Sequence, residues 1–325
     1  MKYLTIPKIE NHLHLEGAIP LDTVWQLIQK YGGDPSVSDI NQLKNRFVYK
    51  DFNKFIETWS WKNGFIREYE DFSLLTGAIL KDLIGQNVKY AEIFISPSLF
   101  KKRLKTQRII ETITDEIKKQ QNIKINLIVD LVRNYGADKE METLNEINEV
   151  KNLGIIGIGI GGSEKEFPPE LFTDVFEKAR TFGFKTTAHA GEAAGPESIW
   201  SALKNLRVDR IGHGTKAAED KALLKYLSKH NIPVEVCILS NLKTKVISNL
   251  KDHPVKSFID MGIPVSINTD DPKMFNNSLA EEYQSLEDTF HYSYQDIQEI
   301  IIKSIDTMWL EEKEKLKAEF NAFSK

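Results

Sequence analysis

Ile9-Glu10-Asn11-His12-Leu13-His14-Leu15-Glu16-Gly17 ends a short apolar run near the start of the 325-residue chain. How that run is read decides the fold. Read as a β-strand, its alternate side chains share a face, so His12 and His14 point one way and Leu13 the other. Two imidazoles aimed at one point can hold a metal, but a metal needs further ligands. The remaining strands are where those ligands should be found.

Seven more β-branched runs follow: Val88–Ser96, Lys124–Leu131, Ile155–Gly161, Phe184–His189, Val208–His213, Pro233–Ser240 and Pro264–Thr269. Apolar residues at helical spacing lie between them, as at Ile109, Ile110, Ile113 and Ile117 or at Leu223, Leu224 and Leu227. Strands alternating with helices imply βαβ units and a parallel sheet. Eight such units predict an α/β fold, a closed (β/α)8 TIM barrel. The rival is a doubly wound open sheet, but no G-x-G-x-x-G follows the first strand.

The extra length over a minimal barrel is concentrated after strand 1. More than seventy residues separate the first two strands, far more than one crossover helix needs. This helical insertion, about residues 20–85, carries Phe47, Tyr49, Phe52, Phe55, Trp59, Trp61 and Phe65. Placed after strand 1 it lies at the mouth of the barrel, where we expect a lid with an apolar wall for a planar substrate; packing of the insertion onto the barrel is the plainer reading. Two or three further helices should follow strand 8, the last a charged surface helix. No linker or repeat divides the chain, so residues 1–325 read as one domain.

Composition narrows the function. With 41% hydrophobic and 28% charged residues the chain is an ordinary globular protein. A net charge of −4 leaves no footprint for nucleic acid or an anionic membrane, and no run reaches the length of a membrane span. No signal peptide is visible at the start, so a cytoplasmic location is expected. The single cysteine, Cys237, excludes a thiolate cluster and reads as a buried, inert thiol.

Three more strand ends carry titratable groups: His189-Ala190-Gly191-Glu192, Gly212-His213-Gly214 and Asn268-Thr269-Asp270-Asp271-Pro272. Four strands delivering such groups to one end of a barrel imply a site, because unpaired buried charge is costly. Three imidazoles and one carboxylate suit a zinc-like divalent ion, with His12, His14, His189 and Asp270 as ligands and one position left for a water that the metal acidifies. Glu192 and His213 remain as acid and base, and Asp271 can orient a substrate. His230, His253 and His291 fall away from strand ends and are expected at the surface.

These four motifs, in this order, resemble the adenosine and adenine deaminase family, metal-dependent amidohydrolases on a (β/α)8 barrel. The resemblance runs from about Pro7 to the helix after Asp271. It implies that His12, His14, His189 and Asp270 bind zinc, and that Glu192 protonates the purine N1. It further implies that His213 activates or orients the attacking water, that Asp271 meets N7, and that the Gly162 amide meets N3. The substrate would then be a small-molecule purine base or nucleoside, with no nucleic acid or membrane as partner. Adenosine, giving inosine and ammonia, is placed slightly ahead of adenine or a modified adenine nucleoside. Glu16 stands where adenosine enzymes usually carry a ribose-contacting Asp, and Gly159-Ile160-Gly161-Gly162-Ser163-Glu164 also departs from their pattern. A phosphoesterase would need more ligands and a cationic phosphate grip. A non-catalytic purine-binding relative should lack a ligand or the acid, and all six residues are present.

Overall fold

A computed structural model describes residues 2–50 and 52–323. The eight runs form eight parallel strands in sequential order. They are β1 (Lys8–His14), β2 (Val88–Ile95), β3 (Lys124–Val132), β4 (Ile155–Gly161), β5 (Lys185–Ala190), β6 (Arg210–His213), β7 (Val234–Val236) and β8 (Val265–Ile267). The barrel closes between β8 and β1 through three of the candidate ligand residues: His14 N donates to Asp270 O at 2.9 Å and Asp270 N to His12 O at 3.1 Å. The expected (β/α)8 barrel is therefore the fold.

Four helices fill the insertion: α1 (Leu21–Lys30), α2 (Ile40–Arg46), α3 (Phe52–Asn63) and α4 (Tyr69–Gly85). Outer helices α5 (Thr106–Lys118), α6 (Ala137–Glu149), α7 (Thr173–Thr181), α8 (Pro196–Ser201) and α9 (Lys221–Lys229) link β2 through β7. Between β7 and β8 lie α10 (Ile238–Lys243) and α11 (Val255–Asp260). The chain ends with α12 (Pro272–Phe275), α13 (Leu279–Phe290), α14 (Tyr294–Ser304) and α15 (Lys313–Phe323). Some helices start on side-chain caps: Asp220 accepts from the amides of Ala222 and Leu223, and Ser293 with Asp296 forms a capping box. No helix among the described residues is long and apolar enough to cross a membrane.

Two expectations change. The run Pro233–Ser240 is strand only over Val234–Val236, after which Ile238 begins α10. An unbroken apolar run carries no period that separates a strand from a buried helix, and the turn into α10 brings Ser240 and Asn241 over the barrel mouth. The last helix is charged outside, but it buries Leu316 and Phe320, so it packs instead of floating. Several aromatic residues of the insertion pack onto the helix that follows β8. Phe47, Tyr49, Phe55 and Trp59 cluster with Met274 and Phe275 of α12, and Phe55 stacks on Phe275 at 4.9 Å. Trp61 meets Phe65 edge-on and carries the Arg46 guanidinium on its ring. The side chain of Phe52 lies outside the described residues.

Candidate active site

The mouth of the barrel gathers the expected ligands. His12 and His14, on one face of β1, meet His189 of β5: both their Nε2 atoms stand 3.1 Å from His189 Nε2. Asp270 Oδ1 lies 3.5 Å from His12 Nε2 and 3.4 Å from His14 Nε2. Tetrahedral ligands about 2.05 Å from zinc would stand roughly 3.3 Å apart, so this donor set fits such an ion. The protons are arranged to match. His12 Nδ1 faces Glu235 Oε2 at 2.7 Å and His189 Nδ1 faces Ile160 O at 3.2 Å, which leaves each Nε2 lone pair turned to the centre. Ser240 Oγ donates to Asp270 Oδ2 at 2.5 Å. Asp270 adopts a φ of +67°, a conformation L-residues rarely take, which aims its carboxylate inward.

Behind His12 runs a line of fully buried charges. Glu235 pairs with Arg210 Nε at 2.7 Å, and Arg210 Nη1 pairs with Glu92 Oε2 at 2.6 Å. Trp309 seals the lower end: its ring carries the Arg210 guanidinium at 3.5 Å and its amide donates to Glu92 Oε1. Burial raises the Glu235 carboxyl, but the Arg210 charge and His12 outweigh it and hold Glu235 below its usual range.

Glu192 and His213 stand beside this cluster, with His213 Nε2 3.6 Å from Glu192 Oε2. Burial, reinforced by Asp270, lifts the Glu192 carboxyl well above the usual carboxylate range. The loop that carries it is held by one side chain. The Glu164 carboxylate accepts from the backbone amides of Gly191, Glu192, Ala193 and Ala194. Asp270 behaves oppositely to its neighbour. Burial raises it, but His12, His213 and His14 bring it well below the ordinary value, while burial and the Asp270 charge push Asp271 well above.

Asp271 packs against the turn that follows β1. An added Cβ on Gly17 would fall 1.7 Å from Asp271 Oδ1, so only glycine permits the approach. From the insertion, the charge of Lys62 and the Trp59 indole both favour the ionised form of Asp271. Lys62 is itself buried and donates to the Glu16 carbonyl. Glu16 lies in the turn after β1, close enough for its charge to act on Asp271. Its Oε1 accepts from Ser96 N at 3.0 Å, and its Oε2 is buried with no hydrogen-bond partner. Gly162 follows β4 directly, at a φ of +102°, with Asn134 Oδ1 occupying the space of a side chain.

One histidine is misplaced by sequence reasoning. His230 and His291 are exposed, as expected, but His253 is 3% exposed and hydrogen-bonds to Asn241. Its place in a loop suggested the surface, and its buried partner Asn241 comes from another segment. Glu92, Asp130, Arg210 and Glu235 were also missed. A signal existed: each is a charged residue inside an apolar strand run, where both faces are buried. Asp130 sits opposite Gly159, whose missing side chain gives its carboxylate room.

Comparison with known proteins gives one consistent result. The family model described as adenosine deaminase matches residues 7–319. An aminodeoxyfutalosine deaminase from Streptomyces avermitilis is 34% identical over 284 residues, 86% of this chain and 79% of its own. An adenine deaminase from Crocosphaera subtropica is 34% identical over 314 residues, 95% of this chain and 96% of its own. Among solved structures, the adenine deaminase from Arthrobacter aurescens superposes with a TM-score of 0.93 at 25% identity, covering 98% of this chain and 99% of that one.

Proposed function

The chain belongs to the adenosine deaminase family of hydrolases, and from that premise we propose that it removes the 6-amino group of adenine, giving hypoxanthine and ammonia. The observation that carries the aminohydrolase reading is the convergence of His12, His14, His189 and Asp270 beside the Glu192 carboxyl, which burial lifts well above its usual range. Those four residues would hold the metal. When bound, a zinc-like ion acidifies water and so supplies a nucleophile at neutral pH.

The protein's own groups supply the rest. A protonated Glu192 donates to the ring nitrogen N1, drawing electrons from C6 as the nucleophile adds. The same carboxylate then takes back a proton and passes it to the departing amine. N7 of a purine is an acceptor, so the group facing it must donate. Asp271, whose carboxyl burial and the Asp270 charge lift well above its usual range, suits that requirement. Glu164 fixes the loop that aims Glu192. Gly162 presents its backbone to the opposite edge of the ring.

Adenine stands ahead of adenosine in this reading because of Glu16. Glu16 stands where adenosine enzymes usually carry a ribose-contacting Asp, and one of its carboxylate oxygens is engaged by the Ser96 amide. The curated adenine deaminase relative supports the same choice. A modified adenine nucleoside is the second reading, favoured by the similarity to the Streptomyces protein.

Three experiments test this. Ammonia release from adenine, adenosine, deoxyadenosine and 9-substituted 6-aminopurines should be fastest with adenine. A higher kcat/KM for adenosine would reverse the order, since a site built to bind a hydroxyl rejects analogues lacking it. E192Q should keep metal and purine binding and lose turnover; wild-type turnover in E192Q would refute the mechanism. Chelation should abolish activity and zinc should restore it.

A further inference from the structure

His213 is followed outward by two buried side chains that the proposed reaction does not use. Asn241 Nδ2 lies 3.1 Å from His213 Nδ1. His253 Nε2 lies 3.2 Å from Asn241 Oδ1, and Val255 N lies 3.1 Å from His253 Nδ1. Thr215 Oγ1 also donates to Asn241 Oδ1, at 2.9 Å.

The direction of every bond in this line follows from its far end. Val255 opens α11, and the first amides of a helix have no partner within it. An amide can only donate, so His253 Nδ1 must accept, and the proton of that ring is on Nε2. His253 Nε2–H in turn needs an acceptor, which makes the Asn241 atom facing it Oδ1. Asn241 then presents an N–H to His213 Nδ1. That nitrogen must accept too, and the His213 proton is left on Nε2, the atom facing Glu192. A proton on His213 Nδ1 would instead set two donors against each other at 3.1 Å.

We propose that His253 and Asn241 are positioning residues that lock His213 in the tautomer with its proton on Nε2, so that His213 acts on the attacking oxygen as a hydrogen-bond donor and not as its base. This rests on the reading of His213 as a group that faces the substrate. His253 and Asn241 are both buried, and their side-chain hydrogen bonds lead to the site through His213. The backbone holds the ring in the same attitude: His213 has a φ of +61° and is followed by Gly214 at +59°.

The test is the imidazole ¹⁵N spectrum of the zinc-loaded protein, with the His213 resonances assigned by their loss in H213Q. The wild type should show His213 protonated on Nε2. A proton on Nδ1 would overturn the proposal, and that result needs no second variant to fold. N241D cannot donate to Nδ1 and should move the proton there, lowering kcat by about 10²-fold with KM and zinc content unchanged. H253Q keeps the order of donor and acceptor and should stay within about threefold of wild type, while H253L should fall between the two. Folded N241D and H253L with an unmoved proton and wild-type kcat would overturn the proposal. An Nε2 proton in a protein that deaminates no purine would support the relay and sink the activity reading instead.

Discussion

His12 and His213 line the same opening, both essentially excluded from water, yet they are held from behind by opposite means. His12 has a carboxylate on its Nδ1, and behind that carboxylate a line of alternating charges through Arg210 to Glu92. His213 has a neutral amide on its Nδ1, and behind that a neutral imidazole and a backbone N–H. Burial pushes both rings down. For His12, Asp270 and Glu235 outweigh burial and lift it to about 10. For His213 burial prevails, and the ring sits at about 4. One residue type at equal depth thus serves two ends. A carboxylate strengthens an imidazole as a metal ligand, and a neutral donor keeps an imidazole uncharged with a known proton position.

The charged side should break hardest. R210M strands Glu235 and Glu92 without their shared cation, and unpairing a buried ion pair costs about 3–5 kcal/mol. Its urea midpoint should drop accordingly. E235Q keeps the shape but weakens the hold on His12, and its zinc affinity should fall about 10–100-fold in competition with a chelator. An unchanged affinity would mean that the charges serve the barrel only.

The neutral side should respond in its acid stability. Burial holds His253 at about 3, below its ordinary 6.5. Between those values the unfolded chain binds a proton that the native chain refuses, so native stability falls as pH drops through that window. H253Q removes the difference. Measured from pH 7 to pH 5, its acid loss should be about 2 kcal/mol smaller than that of the wild type, the one and a half units below 6.5 at 1.36 kcal/mol each. H230Q and H291Q, at exposed positions, should shift stability by less than about 0.5 kcal/mol at either pH.

The barrel was legible in the sequence because a parallel strand buried on both faces is written as an apolar run. The place of each metal-ligand candidate was legible too. βα alternation sends every strand's C-terminal end to one side, so His12, His14, His189 and Asp270 had to share that side. The end of β7 was not legible, because Val236–Leu239 suits a strand and a buried helix equally. The aromatic residues of the insertion were visible, but their partners Met274 and Phe275 lie more than two hundred residues away.

The sequence by itself determined which chemical groups meet at the barrel mouth, because period and chain direction are local properties. What each group does there was decided only by the tertiary structure. The environment of an imidazole is set by what stands on its other nitrogen. For His12 that is Glu235, 223 residues distant, and for His213 it is Asn241, itself turned by His253. Hydrogen bonds and buried charges act over a few ångströms of space, and no spacing along the chain records which residues will lie that close.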